Sequence, residues 1–201
     1  MPGAPVTHLL YLHGFRSSPR SAKALRMARE VERLREAGRA PHWCCPQLPP
    51  SPAEAVTLAE SLTAGWPRER SAVVGSSLGS FYATVLAERH GWRAAVLNPA
   101  VEPARDLAAQ IGEQSAWHEP GLRFRFTAAH VEELRTLRPP ALTDPSRYYA
   151  VIATGDELLD WREMAARYAG APGHLIQGGD HALSADFEAE LPGLLAFLGL
   201  G

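Results

Sequence analysis

Short apolar runs alternate with helix-forming stretches along most of this chain, and that alternation admits few architectures. Strands are expected at residues 6–12, 43–47, 71–74, 94–97, 148–153 and 174–176. Leu9-Leu10-Tyr11-Leu12 and Ala72-Val73-Val74 are apolar throughout, as strands covered on both faces are. Helices are expected between them, and several carry end signals. Ser18 precedes Pro19 at one start, with Gly38 at the far end, and Ser51-Pro52-Ala53-Glu54 has capping-box spacing for a helix to Gly65. Gly91 follows a helix over 81–89, and Asp160 precedes one over 161–169. A last helical region covers 185–198, with a break expected near Pro192. The pattern predicts an α/β fold, a mainly parallel central sheet with helices on both faces.

Residues 100–145 interrupt the pattern. They contain a short helix near 103–111, a loop with Trp117 and His118, the alternating Arg123-Phe124-Arg125-Phe126, and a Thr127-capped helix to Leu137. This stretch is expected to be a small helical lid inserted over one end of the sheet, in a single domain spanning 1–201. Its aromatics Trp117, Phe124 and Phe126 either line an acyl pocket or pack the lid onto the sheet, with packing favoured.

Composition narrows the function classes. Among 201 residues 46% are apolar and 21% charged, which argues against disorder. The formal charge is −2 with arginines scattered, so no nucleic-acid footprint is expected. Met1-Pro2-Gly3-Ala4-Pro5 carries no basic leader and the apolar run after it is short, so a cytoplasmic chain without a membrane partner is expected. Adjacent Cys44 and Cys45 are expected to be reduced thiols. No Cys-x-x-Cys or His-Glu-x-x-His spacing suggests a metal.

The chemistry-bearing motif is Gly75-Ser76-Ser77-Leu78-Gly79. It stands between an apolar strand and a helix, the strand–turn–helix context of the nucleophile elbow in α/β-hydrolase folds. A sharp turn lifts Ser77 clear of the sheet, and side chains at Gly75 and Gly79 would collide with neighbouring backbone. A serine hydroxyl needs a base, and the base needs an orienting acid, in the chain order serine, acid, histidine. His118 and His130 fall in the inserted stretch and His174 opens a strand. His181, after Gly178-Gly179-Asp180, is in a loop between the last strand and the last helix and is the expected base.

Asp156 and Asp160 both fit the acid, with Glu157 behind them. Asp156 is preferred because it directly follows a strand, while Asp160 is needed as a helix cap. Asp180 is expected to support the histidine loop. Two backbone amides should face the developing oxyanion, those of Leu78 and of Phe15 in His13-Gly14-Phe15, with His13 shaping that loop.

The chain also resembles the YqiA-like bacterial esterases. The matching residues are Tyr11-Leu12-His13-Gly14-Phe15-Arg16-Ser17-Ser18-Pro19-Arg20-Ser21-Ala22-Lys23, Pro46-Gln47-Leu48-Pro49-Pro50, the Ser77 motif, Asn98-Pro99-Ala100-Val101, Thr154-Gly155-Asp156-Glu157 and Gly178-Gly179-Asp180-His181. They run in the same order across nearly the whole chain. The resemblance implies a cytosolic hydrolase of small acyl esters, or of acyl thioesters, that needs no cofactor and uses Ser77, Asp156 and His181. One departure is Ser80, where the family usually has a second glycine. The inserted stretch matches least, which leaves substrate choice open.

Overall fold

The computed structural model describes residues 5–39, 41–117, 119 and 121–201, so His118 and residues 1–4 lie outside it. Six strands, β1 (His8–Leu12), β2 (His42–Cys44), β3 (Ser71–Ser76), β4 (Arg93–Leu97), β7 (Tyr148–Ala153) and β8 (Gly173–Ile176), form one sheet. Its order is β2-β1-β3-β4-β7-β8, and every pairing is parallel. Register places Leu10 against Val73, Val74 against Ala95 and Val96 against Ala150.

Because side chains alternate along a strand, each strand feeds two cores. Leu10 and Leu12 join Val73, Val96 and Ile152 under α2 (Pro52–Leu62), α3 (Leu78–His90), α5 (Ala128–Leu137) and α6 (Trp161–Arg167). Leu9, Tyr11, Val74, Leu97 and Val151 face α1 (Ala22–Glu36) and α7 (Phe187–Leu198) on the other side. Fully burying a leucine-sized side chain contributes about 1.5–3 kcal/mol, so these two layers carry the fold. No helix among the described residues is long and apolar enough to cross a membrane.

Several element ends differ from the sequence reading. α1 starts at Ala22, capped by Ser21, because residues 18–21 close a turn in which Ser18 Oγ accepts from the Arg20 amide. β2 ends at Cys44, before Pro46, which has no N–H for a ladder. α3 begins three positions earlier than expected, directly after Ser77. α7 runs unbroken through Pro192, whose missing N–H forgoes the bond to the Glu188 carbonyl without ending the helix. Ser51 Oγ accepts from the Glu54 amide as expected, but the carboxylate at that helix end is Glu133 of α5, which accepts from Ser51 Oγ and the Ala53 amide.

Within 100–145 the chain forms α4 (Pro103–Asp106), a hairpin of β5 (Gly112–Ser115) with β6 (Arg123–Phe126), and α5. α5 packs against α2 and α4. The hairpin is tied to the loop after β1: Arg16 Nε donates to the Ser115 carbonyl at 2.8 Å, and its guanidinium lies 4.0 Å from the Trp117 ring centre.

Candidate active site

The strand order reverses between β1 and β3: β1 leads to β2 on one side, while β3 leads to β4 on the other. Such a point opens a crevice at the carboxyl ends of the strands. The two loops that enter it are His13-Gly14-Phe15 after β1 and Ser77 after β3. Ser77 has φ 56° and ψ −121°, a backbone region that costs a non-glycine residue about 1–3 kcal/mol. Neighbouring backbone enforces it. A Cβ on Gly75 would stand 2.3 Å from the Gly79 carbonyl oxygen, and one on Gly79 would stand 2.0 Å from the Leu12 carbonyl oxygen. The Gly14 backbone passes so close that a Cβ there would lie 3.2 Å from Ser77 Cβ.

Three side chains meet at this crevice. His181 Nε2 is 2.9 Å from Ser77 Oγ, and His181 Nδ1 is 2.7 Å from Asp156 Oδ2. The Asp156 side chain is fully buried, yet its other oxygen accepts from the Leu158 and Leu159 amides, both at 2.9 Å. A carboxylate oxygen at this distance accepts from Nδ1–H and so orients the imidazole with Nε2 toward Ser77. The competing acids sit elsewhere. Asp160 caps α6 by accepting from the Arg162 amide, and Glu163, at the capping-box position, instead pairs with Arg105. Glu157 accepts from the His181 amide at 2.9 Å, and Asp180 accepts from the Ser184 amide, which holds its carboxyl below the ordinary value.

Other histidines are occupied. His130 closes a capping box with Thr127, and His174 contacts Glu190 at 2.7 Å. Buried His13 bridges two loops, its Nδ1 on the Gly14 carbonyl and its Nε2 accepting from the Leu48 amide. Neither the Phe15 nor the Leu78 amide donates to an acceptor among the described residues. Ser80 is fully buried, with its hydroxyl on the Leu97 backbone, so it faces β4 and lines neither cavity described below. Cys44 and Cys45 are free thiols, and burial pushes Cys45 up to about 12.

A cavity of about 1030 Å³ opens on Ser77 and His181, with Lys23 and Trp117 on its walls. A second, of about 810 Å³, shares residues 13–17 as a wall and is otherwise largely apolar, with Leu48, Leu58, Leu78, Tyr82 and Phe124. The inserted aromatics thus divide. Phe124 lines the second cavity, Trp117 lines the first, and Phe126 is buried in the core against Phe15 at 5.1 Å.

Two residues at the site had no role in the sequence reading, Asn98 and Lys23. Asn98, at the end of β4, is 1% exposed with φ 41°, and its Nδ2 donates to the Asp180 and His181 carbonyls at 3.0 and 3.1 Å. Lys23 Nζ donates to the Ala182 carbonyl at 2.5 Å. Burial lowers its ammonium to about 8, against the pull of Asp180 and Asp156. The one sequence signal was Asn98 itself, a residue type that tolerates positive φ, standing after a strand and before a proline.

This sheet, with its serine-bearing turn at the switch point, has the α/β-hydrolase fold. Solved structures agree across nearly the whole chain. Alpha/beta hydrolase domain-containing protein 10 from mouse is 16% identical with TM-score 0.71, covering 98% of this chain and 91% of that one. Est1E from Butyrivibrio proteoclasticus is 19% identical with TM-score 0.65, over 98% and 88%. The thioesterase domain from the curacin biosynthetic pathway is 14% identical with TM-score 0.58, over 96% and 92%. Residues 8–199 match the model of "Uncharacterised protein family (UPF0227)", and the chain belongs to that family, the YqiA-like group it resembles in sequence.

Proposed function

We propose that this protein is a serine carboxylesterase that cleaves small acyl esters through Ser77, His181 and Asp156. The observation that carries the reading is the unbroken chain of contacts from Ser77 Oγ through His181 to buried Asp156, at 2.9 and 2.7 Å. Neutral His181 accepts the Ser77 proton at Nε2 as the hydroxyl oxygen attacks the ester carbonyl. Asp156 keeps the Nδ1–H tautomer and stabilises the imidazolium that forms. The Phe15 and Leu78 amides hold the oxyanion, and a donor of this kind contributes about 2.7–4 kcal/mol to the transition state. His181 then protonates the departing alcohol, and water, activated by the same imidazole, releases the acid and restores Ser77. The cycle balances with ester and water alone.

Substrate placement follows from the two cavities. Leu78, one of the two oxyanion donors, lines only the apolar cavity, while Phe15 lines both; the apolar one takes the acyl group, and the leaving alcohol sits beside His181 in the other. Residues 100–145 serve as a lid on a single domain, because their hairpin supplies walls to both cavities. A thioester would react through the same atoms, and the likeness to a thioesterase domain makes it the second substrate to assay. Kinetics on matched ester, thioester and amide substrates test the proposal. The wild type is expected to favour the ester, and Ser77→Ala to lower turnover by about 10³–10⁶-fold. Wild-type turnover by Ser77→Ala overturns it.

A further inference from the structure

We propose that Asn98 and Lys23 are positioning residues that hold the His181 backbone in register with Ser77 and Asp156. The inference rests on the catalytic roles proposed above. The histidine loop is irregular: Gly178, Gly179 and Leu183 all have positive φ, at 80°, 74° and 53°. Backbone amides reach only some of its carbonyls, that of Gly178 from Gly155 at 2.8 Å and that of Asp180 from Leu183 at 3.0 Å. Three successive ones, of Asp180, His181 and Ala182, are taken by two side chains from distant parts of the chain. Asn98 Nδ2 takes the first two from the sheet side, and Lys23 Nζ, from α1, takes the third.

The end of β4 touches Ser77, the histidine loop and the strand that leads to Asp156. The Leu97 carbonyl accepts from the Ser77 amide at 2.9 Å, and the Ala100 amide donates back to the Ser77 carbonyl at 3.2 Å. Asn98 Oδ1 accepts from the amide of Ala153, the last residue of β7, beyond which the chain reaches Asp156. The Asn98 amide in turn donates to the Val151 carbonyl at 2.9 Å. One carboxamide thus uses its oxygen on the acid strand and its nitrogen on the histidine loop. Aspartate cannot replace it, since a carboxylate would face two carbonyl oxygens with no proton to give. Lys23 closes the loop from the opposite side while lining the cavity that holds Ser77.

The test compares Asn98→Ala, Asn98→Ser and Lys23→Met with wild type on a short p-nitrophenyl ester. Alongside the kinetics, the downfield proton resonance of the His181 Nδ1–H is followed by NMR, with thermal melts to show that each variant is folded. Displacing a reacting group by about 1 Å can cost 10²-fold, so Asn98→Ala is expected to lose about 10–100-fold in kcat with KM changed less than about threefold. Lys23→Met should lose about 3–10-fold in the same pattern. In both, the Nδ1–H resonance should shift or broaden. Asn98→Ser keeps a small polar group and serves if the alanine variant does not fold. Folded variants with wild-type kcat and an unchanged resonance overturn the inference, as does an effect confined to KM or to melting temperature. A wild type inactive on every ester would sink the esterase proposal instead, and the resonance comparison would still decide whether these two residues position His181.

Discussion

The two turns that bring Ser77 and His181 together are built in opposite ways. The Ser77 turn is set by close-packed backbone: a Cβ on Gly75 would meet the Gly79 carbonyl within the turn, and one on Gly79 the Leu12 carbonyl of β1. The histidine loop has room to spare at Gly178, where an added Cβ would meet nothing within 4 Å. Besides the backbone bond from the Gly155 amide to the Gly178 carbonyl, it is held by side chains from elsewhere, namely Asn98, Lys23 and Glu157. Ser77 is thus fixed by close backbone packing and backbone bonds to β4, and His181 largely by side-chain hydrogen bonds from distant parts of the chain. A turn of the first kind tolerates almost no substitution, and one of the second kind degrades by steps.

Substitutions on either side sharpen that contrast. The largest effect is expected for Asp156→Asn, which frees the imidazole to take the wrong tautomer and should cost about 10⁴ in kcat with folding intact, as read by steady-state kinetics. Next comes Gly79→Ala, which drives a methyl into the Leu12 carbonyl; a loss of several kcal/mol in denaturant unfolding, or failure to fold, is expected. Gly178→Ala meets only the left-handed backbone penalty, about 1–2 kcal/mol by the same measurement. If the two glycine variants proved equally destabilised, the contrast between the turns would fail. The smallest effect is for Asp160→Ala, which removes the α6 cap and should cost about 1 kcal/mol of stability. Its kcat should stay within about twofold of wild type, and a large fall would move the acid role to Asp160.

The same contrast explains how much was legible beforehand. The layered α/β architecture follows from apolar runs and helix caps, and Thr127, Asp160 and Gly91 end their helices where the sequence places them. The Ser77 turn is legible because its signal is local, two glycines and a serine between a strand and a helix. β5 was not: Gly112-Glu113-Gln114-Ser115 has no strand character of its own and pairs only because β6 lies beside it. Pro192 misled because a proline inside a helix removes one bond, and here the helix continues past it. The roles of Asn98 and Lys23 were hidden for a physical reason. Their partners lie 55 to 159 positions away along the chain, and no local pattern encodes such pairings.

The most direct measurement is intact-mass analysis and peptide mapping after treatment with a fluorophosphonate. A nucleophilic serine steadied by an imidazole predicts one adduct, on Ser77, formed rapidly by the wild type and slowed by orders of magnitude in His181→Ala. No adduct, or an adduct on a different serine, would contradict the assignment of Ser77 as the reacting group.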